Sequence, residues 1–300
     1  MRSVLKWQTG SLLNRLSQSQ YGFDVTVNPY RGCAHDCQYC YARDTHRYLD
    51  LNIGEDFSHK LFVKERSVAQ ILVELRRVPL DKVLTLGTAT DPYQSLEGRY
   101  RVSRHLLEAV FESGHAVTIT TKSPLIVRDV DILEKLASRQ QVQVHISLIS
   151  LDYQTLHAVE PGTAAPAVRL RTLATLSQRH IPTMLFAAPI LPFLTDTEAQ
   201  LSSLFAQARA FGALAVMASR LRLSPSMKSY FFTWLEEHYP ELLARYRALY
   251  PGPSQYPDAG YSRMLGQRVT RLQHMHGLAQ RLPAPRAWQS LQQPQFDFIR

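Results

Sequence analysis

All three cysteines of the chain fall within one eight-residue window. Cys33, Cys37 and Cys40 follow a C-x3-C-x2-C spacing, in a loop that leaves a strand-like run at 23–27. Thiolates so close together are metal ligands, and soft sulfur selects zinc, copper(I) or an iron–sulfur cluster. A closed zinc site or a simple electron-transfer cluster needs four protein ligands. Three cysteines can therefore hold a cluster that keeps one iron free to bind another molecule.

Two other interpretations of the cysteines stay open. A histidine near the loop, His35 or His46, can complete a Cys3His zinc site. Buried thiols also occur without any metal, although three in one loop are unusual. A different function also stays open, that of a non-catalytic protein that is stabilised by zinc or an iron–sulfur cluster and binds nucleic acid through a basic C-terminal region.

The composition predicts a globular, non-membrane protein. The chain has 300 residues, of which 45% are hydrophobic, so it can bury a sizeable core. The longest apolar run, at 184–194, is short and contains two prolines, and the first seven residues lack an apolar signal core. Because the cysteines are committed to one loop rather than to disulfide pairs, we expect a reducing, cytoplasmic location.

The charge is uneven. The net charge is +9, and 251–300 carries six arginines against two aspartates. Three of the arginines, Arg263, Arg268 and Arg271, are spaced so that they could line a phosphate-facing surface for an acidic substrate. In the alternative, apolar residues of the same helix pack it against the domain and leave the arginines solvated.

The hydrophobic pattern predicts an α/β fold, a partial (β/α)6 parallel barrel with a helical C-terminal extension. Helix-period segments separate six strand-like runs, a pattern typical of a parallel sheet with right-handed crossovers. The predicted strands are 23–27, 82–86, 116–121, 142–148, 183–188 and 214–218. The predicted regions are an N-terminal extension (1–22), the barrel (23–223) and a basic helical region (224–300).

Polar side chains follow three of these strands. Thr88, Thr90 and Asp91 come after the second strand, Lys122 follows the third, and Ser147 closes the fourth. The carboxyl ends of parallel strands meet at one edge of a sheet, where the cysteine loop also lies. We therefore expect these groups to surround a polar, charged cofactor.

The cysteine spacing, with Tyr39 directly before the third cysteine, resembles the signature of radical S-adenosylmethionine enzymes. The resemblance implies that Cys33, Cys37 and Cys40 hold a [4Fe-4S] cluster. In that family S-adenosylmethionine chelates the fourth iron, and one electron from the cluster cleaves it to a 5′-deoxyadenosyl radical. No cysteine remains for a second cluster, so we expect an external one-electron donor, a ferredoxin or a flavodoxin.

Further motifs within 22–220 are similar to those of the spore photoproduct lyase family. They are Thr-Lys-Ser at 121–123, Ile-Ser at 146–147, Glu-Pro-Gly-Thr at 160–163 and Ala-Pro-Ile at 188–190. By that resemblance Lys122 and Ser147 contact S-adenosylmethionine, as do Thr88 and Thr90, while Tyr39 and Tyr41 pass the radical on. The family's hydrogen-donating cysteine after the second strand is absent here, where the chain reads Gly-Thr-Ala-Thr-Asp at 87–91. The sequence thus predicts a lyase-like radical enzyme, with nucleic acid as one candidate substrate.

Overall fold

The computed structural model describes residues 2–7, 11–16 and 25–288. Ten strands lie in two sheets. The strands are β1 (Ser3–Lys6), β2 (Leu13–Arg15), β3 (Val25–Val27), β4 (Tyr30–Arg31), β5 (Lys60–Val63), β6 (Val83–Leu86), β7 (Ala116–Thr121), β8 (Val142–Ser147), β9 (Thr183–Ile190) and β10 (Val216–Arg220).

The larger sheet carries the six parallel strands that the sequence predicts. Its order is β10-β9-β8-β7-β6-β3-β2, and only β2 runs antiparallel to its neighbour. Among the described strands none joins β10 to β2, so the sheet is open rather than a closed barrel. The predicted α/β class with a parallel sheet is confirmed; residues 23 and 24 of the first predicted strand lie outside the described residues.

Helices cross over between successive parallel strands. The helices and 3₁₀ segments up to β10 are a 3₁₀ segment (Tyr41–Leu49), α1 (Glu55–His59), α2 (Val68–Leu75), α3 (Glu97–Tyr100), α4 (Val102–Ser113), a second 3₁₀ segment (Pro124–Asp129), α5 (Val130–Ser138), α6 (Tyr153–Val159), α7 (Pro166–Gln178) and α8 (Glu198–Ala210). A sequence with polar residues at 195, 196 and 197 offers three candidate caps for α8, and the structure selects Thr197 rather than Thr195 or Asp196, because Thr197 forms a capping box with Gln200.

The core lies between the sheet and these helices. Every residue of β8 is buried, as expected for a central strand covered on both faces. Most apolar residues of β6, β7 and α4, among them Leu86, Ile119 and Leu106, have almost no exposed surface. The sheet is therefore a rigid base for the loops at the carboxyl ends of its strands.

The C-terminal region holds three helices, α9 (Pro225–His238), α10 (Pro240–Leu249) and α11 (Ala259–Met275). Helix α9 lies against the cysteine loop, where the Tyr230 hydroxyl donates to Gln38 Oε1 at 2.6 Å. The chain beyond α11 then crosses the amino ends of the strands: the amide of Val216 donates to Ala279 O, and Gln143 Nε2 donates to Pro283 O. The open sheet is thus covered at that end, away from the cysteines. Among the described helices none is long and apolar enough to cross a bilayer.

Candidate cluster and cofactor site

The cysteine loop follows β4 at the carboxyl edge of the large sheet. Cys33 and Cys37 are 7% and 6% exposed, Cys40 is partly buried, and none forms a disulfide. Backbone turns fix the loop, since the amide of Asp36 donates to Cys33 O and that of Cys40 to Cys37 O, both at 3.3 Å. The loop therefore presents three free thiols from a fixed backbone.

The surrounding backbone clamps this loop on several sides. Gly162 N donates to His35 O at 3.0 Å, and Gln38 N donates to Val159 O at 2.9 Å. Gln94 Oε1 accepts from Ala34 N at 2.9 Å. The segment that carries Gly162 thus lies directly on the cysteine loop, which explains a glycine there: an added Cβ would be 2.2 Å from Ala34 O.

Arg43 holds the cysteine loop in place through hydrogen bonds and an ion pair. Its guanidinium is fully buried, donates to Cys37 O at 2.9 Å and pairs with Asp36 Oδ1 at 2.6 Å. It also lies over the rings of Phe57 and Tyr230. Arg43 could not be identified from the sequence, because an arginine after a cysteine motif carries no signal that separates it from a solvated charge.

Asp91 has no free oxygen to offer a ligand. Its carboxylate accepts from Thr121 Oγ1 at 2.7 Å, Lys122 N at 2.8 Å and Tyr93 N at 2.9 Å, and it pairs with His35 Nδ1 at 3.2 Å. Burial alone would raise the pKa of Asp91, but His35 and these donors hold it at about 2. The geometry makes Asp91 the link between the cysteine loop and the loop after β7.

Glu160 is the centre of a second buried network. It is 1% exposed, pairs with Arg169 Nη2 at 2.6 Å and accepts a hydrogen bond from the Tyr39 hydroxyl. Although burial favours the neutral acid, Arg169 and Lys122 lower the pKa of Glu160, so it is a carboxylate. Tyr39 is therefore buried and hydrogen-bonded to an anion. From the sequence, Glu160 is visible only as part of a motif. Arg169 carries no signal at all, because its partner is nine residues away.

Lys122 and Ser147 are polar groups at the carboxyl ends of β7 and β8, and each has few contacts among the described residues. The nearest carboxylate oxygen to Lys122 Nζ, Glu160 Oε1, is 4.0 Å away, and the ammonium lies 5.8 Å from the centre of the Tyr39 ring. Burial alone would lower the pKa of Lys122, but the negative charge at Cys37 and Glu160 outweighs this effect and raises it, so the side chain is charged. Ser147 Oγ is buried with no hydrogen-bond partner in the described part of the chain. A buried, unpartnered hydroxyl fits a site completed by a polar ligand.

The two threonines after β6 differ in what they contact. Thr90 Oγ1 donates to Gly32 O at 2.6 Å and so holds the cysteine loop. Thr88 Oγ1 accepts from Asn28 Nδ2 at 3.1 Å, and Thr88 O accepts a hydrogen bond from Tyr41. Tyr41 is 53% exposed, in contrast to the buried Tyr39.

The three thiols differ in their electrostatic surroundings. Among the described residues no group of three or more His, Cys, Asp or Glu side chains is arranged to hold one metal ion. In a [4Fe-4S] cluster each thiolate binds a different iron, so the thiols need not converge on one point. Burial raises the pKa of Cys37 and Cys40, whereas His35 lowers that of Cys33 against the effect of its burial. A bound cationic centre would stabilise all three thiolates.

The basic helix α11 packs against α8. Arg268 donates to the backbone oxygen of Asp196, and Arg271 pairs with Glu198 at 2.6 Å. Leu272 is 1% exposed, in the core. The structure therefore favours the packing alternative for Arg268 and Arg271, while Arg263 is exposed.

Comparisons with known proteins agree with this geometry. The sequence model of the Radical SAM superfamily matches residues 27–204. An uncharacterized protein of Mycobacterium tuberculosis is 39% identical over 279 residues, covering 92% of this chain and 82% of that protein. An uncharacterized protein of Methanocaldococcus jannaschii is 27% identical over 222 residues, covering 73% of this chain and 78% of that protein.

The fold is also similar to that of spore photoproduct lyase. The structure of that enzyme complexed with dinucleoside spore photoproduct has a TM-score of 0.71 and 15% identity, and covers 92% of this chain and 81% of that one. A double mutant of the lyase with bound AdoMet and dinucleoside spore photoproduct has a TM-score of 0.72 and 15% identity, and the match covers 93% of this chain and 82% of that one. The matched sequence model spans more than half of the chain, with the three cysteines inside it, so this protein belongs to the radical SAM superfamily of enzymes.

Proposed function

We propose that Cys33, Cys37 and Cys40 hold a [4Fe-4S] cluster whose fourth iron binds S-adenosylmethionine. When bound, the pair supplies a 5′-deoxyadenosyl radical that abstracts hydrogen from a substrate. The observation that carries the proposal is the Ser147 hydroxyl, which is buried without a partner among the described residues, together with the Lys122 ammonium, whose nearest carboxylate oxygen is 4.0 Å away. This combination fits a ligand with both hydroxyl and carboxylate groups.

The other residues at the site divide into two roles. Thr88 lies at the same edge as Lys122, with Tyr41 exposed beside it, and its hydroxyl would bind a ligand by exchanging its hydrogen bonds to Asn28. Thr90 and Asp91, which we expected to bind the cofactor, use their oxygens to hold the cysteine loop instead. We assign them as positioning residues. Tyr39, as a donor to Glu160, holds the same loop, and a radical role for it would require that hydrogen bond to break.

Binding of S-adenosylmethionine tests the assignment directly. Ser147→Ala removes one hydrogen bond worth ~1 kcal/mol, so we expect about fivefold weaker binding. Lys122→Met removes a charged contact, and we expect a loss on the order of 10- to 100-fold. The matched control is Ser138→Ala, which changes an exposed serine whose hydroxyl donates to Lys135 O. Equal affinity in the parent protein and both site variants would contradict the proposed pocket.

Catalysis needs an electron from outside the chain. The three cysteines of the sequence are all assigned to one cluster. We infer that a ferredoxin or flavodoxin is the donor, and that the purified protein cleaves S-adenosylmethionine with dithionite but not with NADPH alone. Cleavage to 5′-deoxyadenosine with NADPH and no added protein would show that the inference is wrong.

We propose nucleic acid as the substrate class. The net charge of +9 and the likeness of fold to a lyase solved with a dinucleoside photoproduct support this proposal. Ala89 lies in the segment where the lyase family has its hydrogen-donating cysteine, so the return of hydrogen to the product follows another path. A deuterated DNA substrate should transfer label to 5′-deoxyadenosine. If label arrives only from a protein or a small molecule of a cell extract, the substrate class is wrong.

A further inference from the structure

Strand β1 is an exposed edge strand next to the cysteine loop. It pairs with β5 on one side, and among the described strands none pairs with its other edge. All four of its residues are exposed, including Val4 (40%) and Leu5 (48%). Because a free edge with apolar side chains favours association, natural proteins usually cover or charge such strands.

Cations lie at both ends of this strand. Arg2 precedes it and Lys6, which pairs with Glu65 at 3.0 Å, ends it; the two cations are roughly 13 Å apart along an extended backbone. A cavity of about 430 Å³ beside Lys6 is lined by three further basic side chains and by Glu65. They are Arg66, Arg99 and His105. The surface made of Arg2, β1 and these basic residues, here called the β1 surface, has an apolar centre and cationic ends. It complements an acidic protein with an apolar contact patch.

The β1 surface touches the backbone next to a proposed cluster ligand. Arg2 Nη2 donates to Ala34 O at 3.0 Å, and Ala34 directly follows Cys33. A second cavity, of about 300 Å³, is lined by Arg2, by Ala34 and His35 of the cysteine loop, and by Gly162. The two loop residues that line this cavity, Ala34 and His35, directly follow Cys33 in the chain.

That position suits an electron donor better than a substrate. Hydrogen abstraction needs reacting atoms roughly 3–3.5 Å apart, so the substrate must reach the cofactor itself. Lys122 and Ser147, which we assign to the cofactor, do not line the second cavity. An electron can tunnel through one layer of backbone, whereas an atom cannot pass it. The β1 surface thus offers a short path for electrons on the outer side of the loop.

We propose that the β1 surface is the docking site of an acidic, low-potential electron carrier protein. The carrier is oxidised by one electron and the cluster is reduced by one; no atom is transferred. The inference rests on the proposed function, because it requires the cluster at Cys33, Cys37 and Cys40.

A plant-type ferredoxin, an acidic carrier of low potential, is the probe. Mixing its reduced form with the cluster-loaded protein in a stopped-flow instrument gives the second-order rate of electron transfer. Arg2→Glu/Lys6→Glu should lower that rate at least tenfold at low ionic strength and weaken its salt dependence, because electrostatic steering changes association rates by about 10- to 1000-fold. Leu5→Gln, which keeps every charge, should weaken equilibrium binding of oxidised ferredoxin.

The control is the double variant Arg263→Glu/Arg281→Glu, which reverses the same number of charges at two exposed arginines away from the β1 surface. Iron content, and S-adenosylmethionine cleavage driven by dithionite, should be the same in all variants. If cleavage with dithionite fails in the parent protein, the proposed function is wrong, whatever ferredoxin does.

Three results would overturn the docking proposal while leaving the function intact. The first is an equal loss of rate in the control and in the β1 variants. The second is no transfer from ferredoxin to a parent protein that reacts with dithionite. The third is a β1 variant that loses binding of oligonucleotides but not of ferredoxin, which would make the surface a nucleic-acid site.

Discussion

Replacing Gly162 with alanine should displace the cysteine loop. The added Cβ would lie 2.2 Å from Ala34 O, 2.9 Å from His35 Cα and 3.0 Å from His35 C, all of them backbone atoms. An ordinary carbon–oxygen contact is roughly 3.3 Å, so the loop must retreat by about 1 Å. The hydrogen bond from Gly162 N to His35 O, now 3.0 Å, would then be lost. Crowding costs roughly 1–3 kcal/mol and the hydrogen bond about 1 kcal/mol, so we expect about 2–4 kcal/mol in total.

Two measurements test this expectation. Thermal unfolding should show a Tm lowered by roughly 3–6 °C, and anaerobic reconstitution should give less iron per chain, because the three thiols no longer share their native arrangement. Gly266→Ala is the control: it lies inside α11, an added Cβ meets nothing within 4 Å, and alanine is favoured in a helix by about 1 kcal/mol. If Gly162→Ala keeps both the parent Tm and the parent iron content, the segment that carries Gly162 does not position the cluster loop.

Three further predictions follow from the buried charges and from the proposed cluster. Glu160→Gln leaves the Arg169 charge buried without its partner and should cost about 3–5 kcal/mol in urea unfolding, whereas Glu198→Gln, which breaks an exposed pair, should cost at most ~1 kcal/mol. Burial lowers the pKa of His145 from 6.5 to about 4, so the contribution of the neutral ring to stability is complete above pH 6.5 and is lost as the pH falls toward 4. Between pH 7 and pH 5 the free energy of unfolding of the parent should therefore fall by roughly 2 kcal/mol more than that of His145→Gln. Parallel pH profiles of the two proteins would contradict this. Removing the metal anaerobically should lower the Tm but preserve the far-ultraviolet circular dichroism, because hydrogen bonds to the rest of the protein hold the loop; complete unfolding would favour a metal-stabilised binding protein instead.

The sequence predicted the parallel sheet because each strand and each crossover helix has a local signal. Buried apolar runs alternate with helix-period segments, and the structure places six parallel strands where these runs lie. The ends of the helices are harder to predict from the sequence, because capping depends on a single hydrogen bond. At α8 three adjacent polar residues could each cap the helix, and Thr197 does so because Gln200 completes the capping box.

The site was predictable where chemistry and spacing coincide, as in the cysteine loop. The roles of single polar residues were not, because they depend on which partner each side chain finds. Asp91 follows a strand just as a ligand-binding residue would, yet its carboxylate is saturated by His35, Thr121 and two backbone amides. Arg169 and Arg43 are fully buried, which no local pattern distinguishes from a solvated arginine.

The measurement that tests the central claim most directly is electron–nuclear double resonance of the reduced, cluster-loaded protein with S-adenosylmethionine labelled with ¹⁵N at its amino group. If Cys33, Cys37 and Cys40 leave one iron free to bind the amino and carboxylate groups of this molecule, a ¹⁵N hyperfine coupling should appear on the cluster signal and be absent with unlabelled material. The iron content should be about four per chain, as expected for one [4Fe-4S] cluster. A cluster signal without ¹⁵N coupling, or colourless protein with one zinc per chain, would contradict the account.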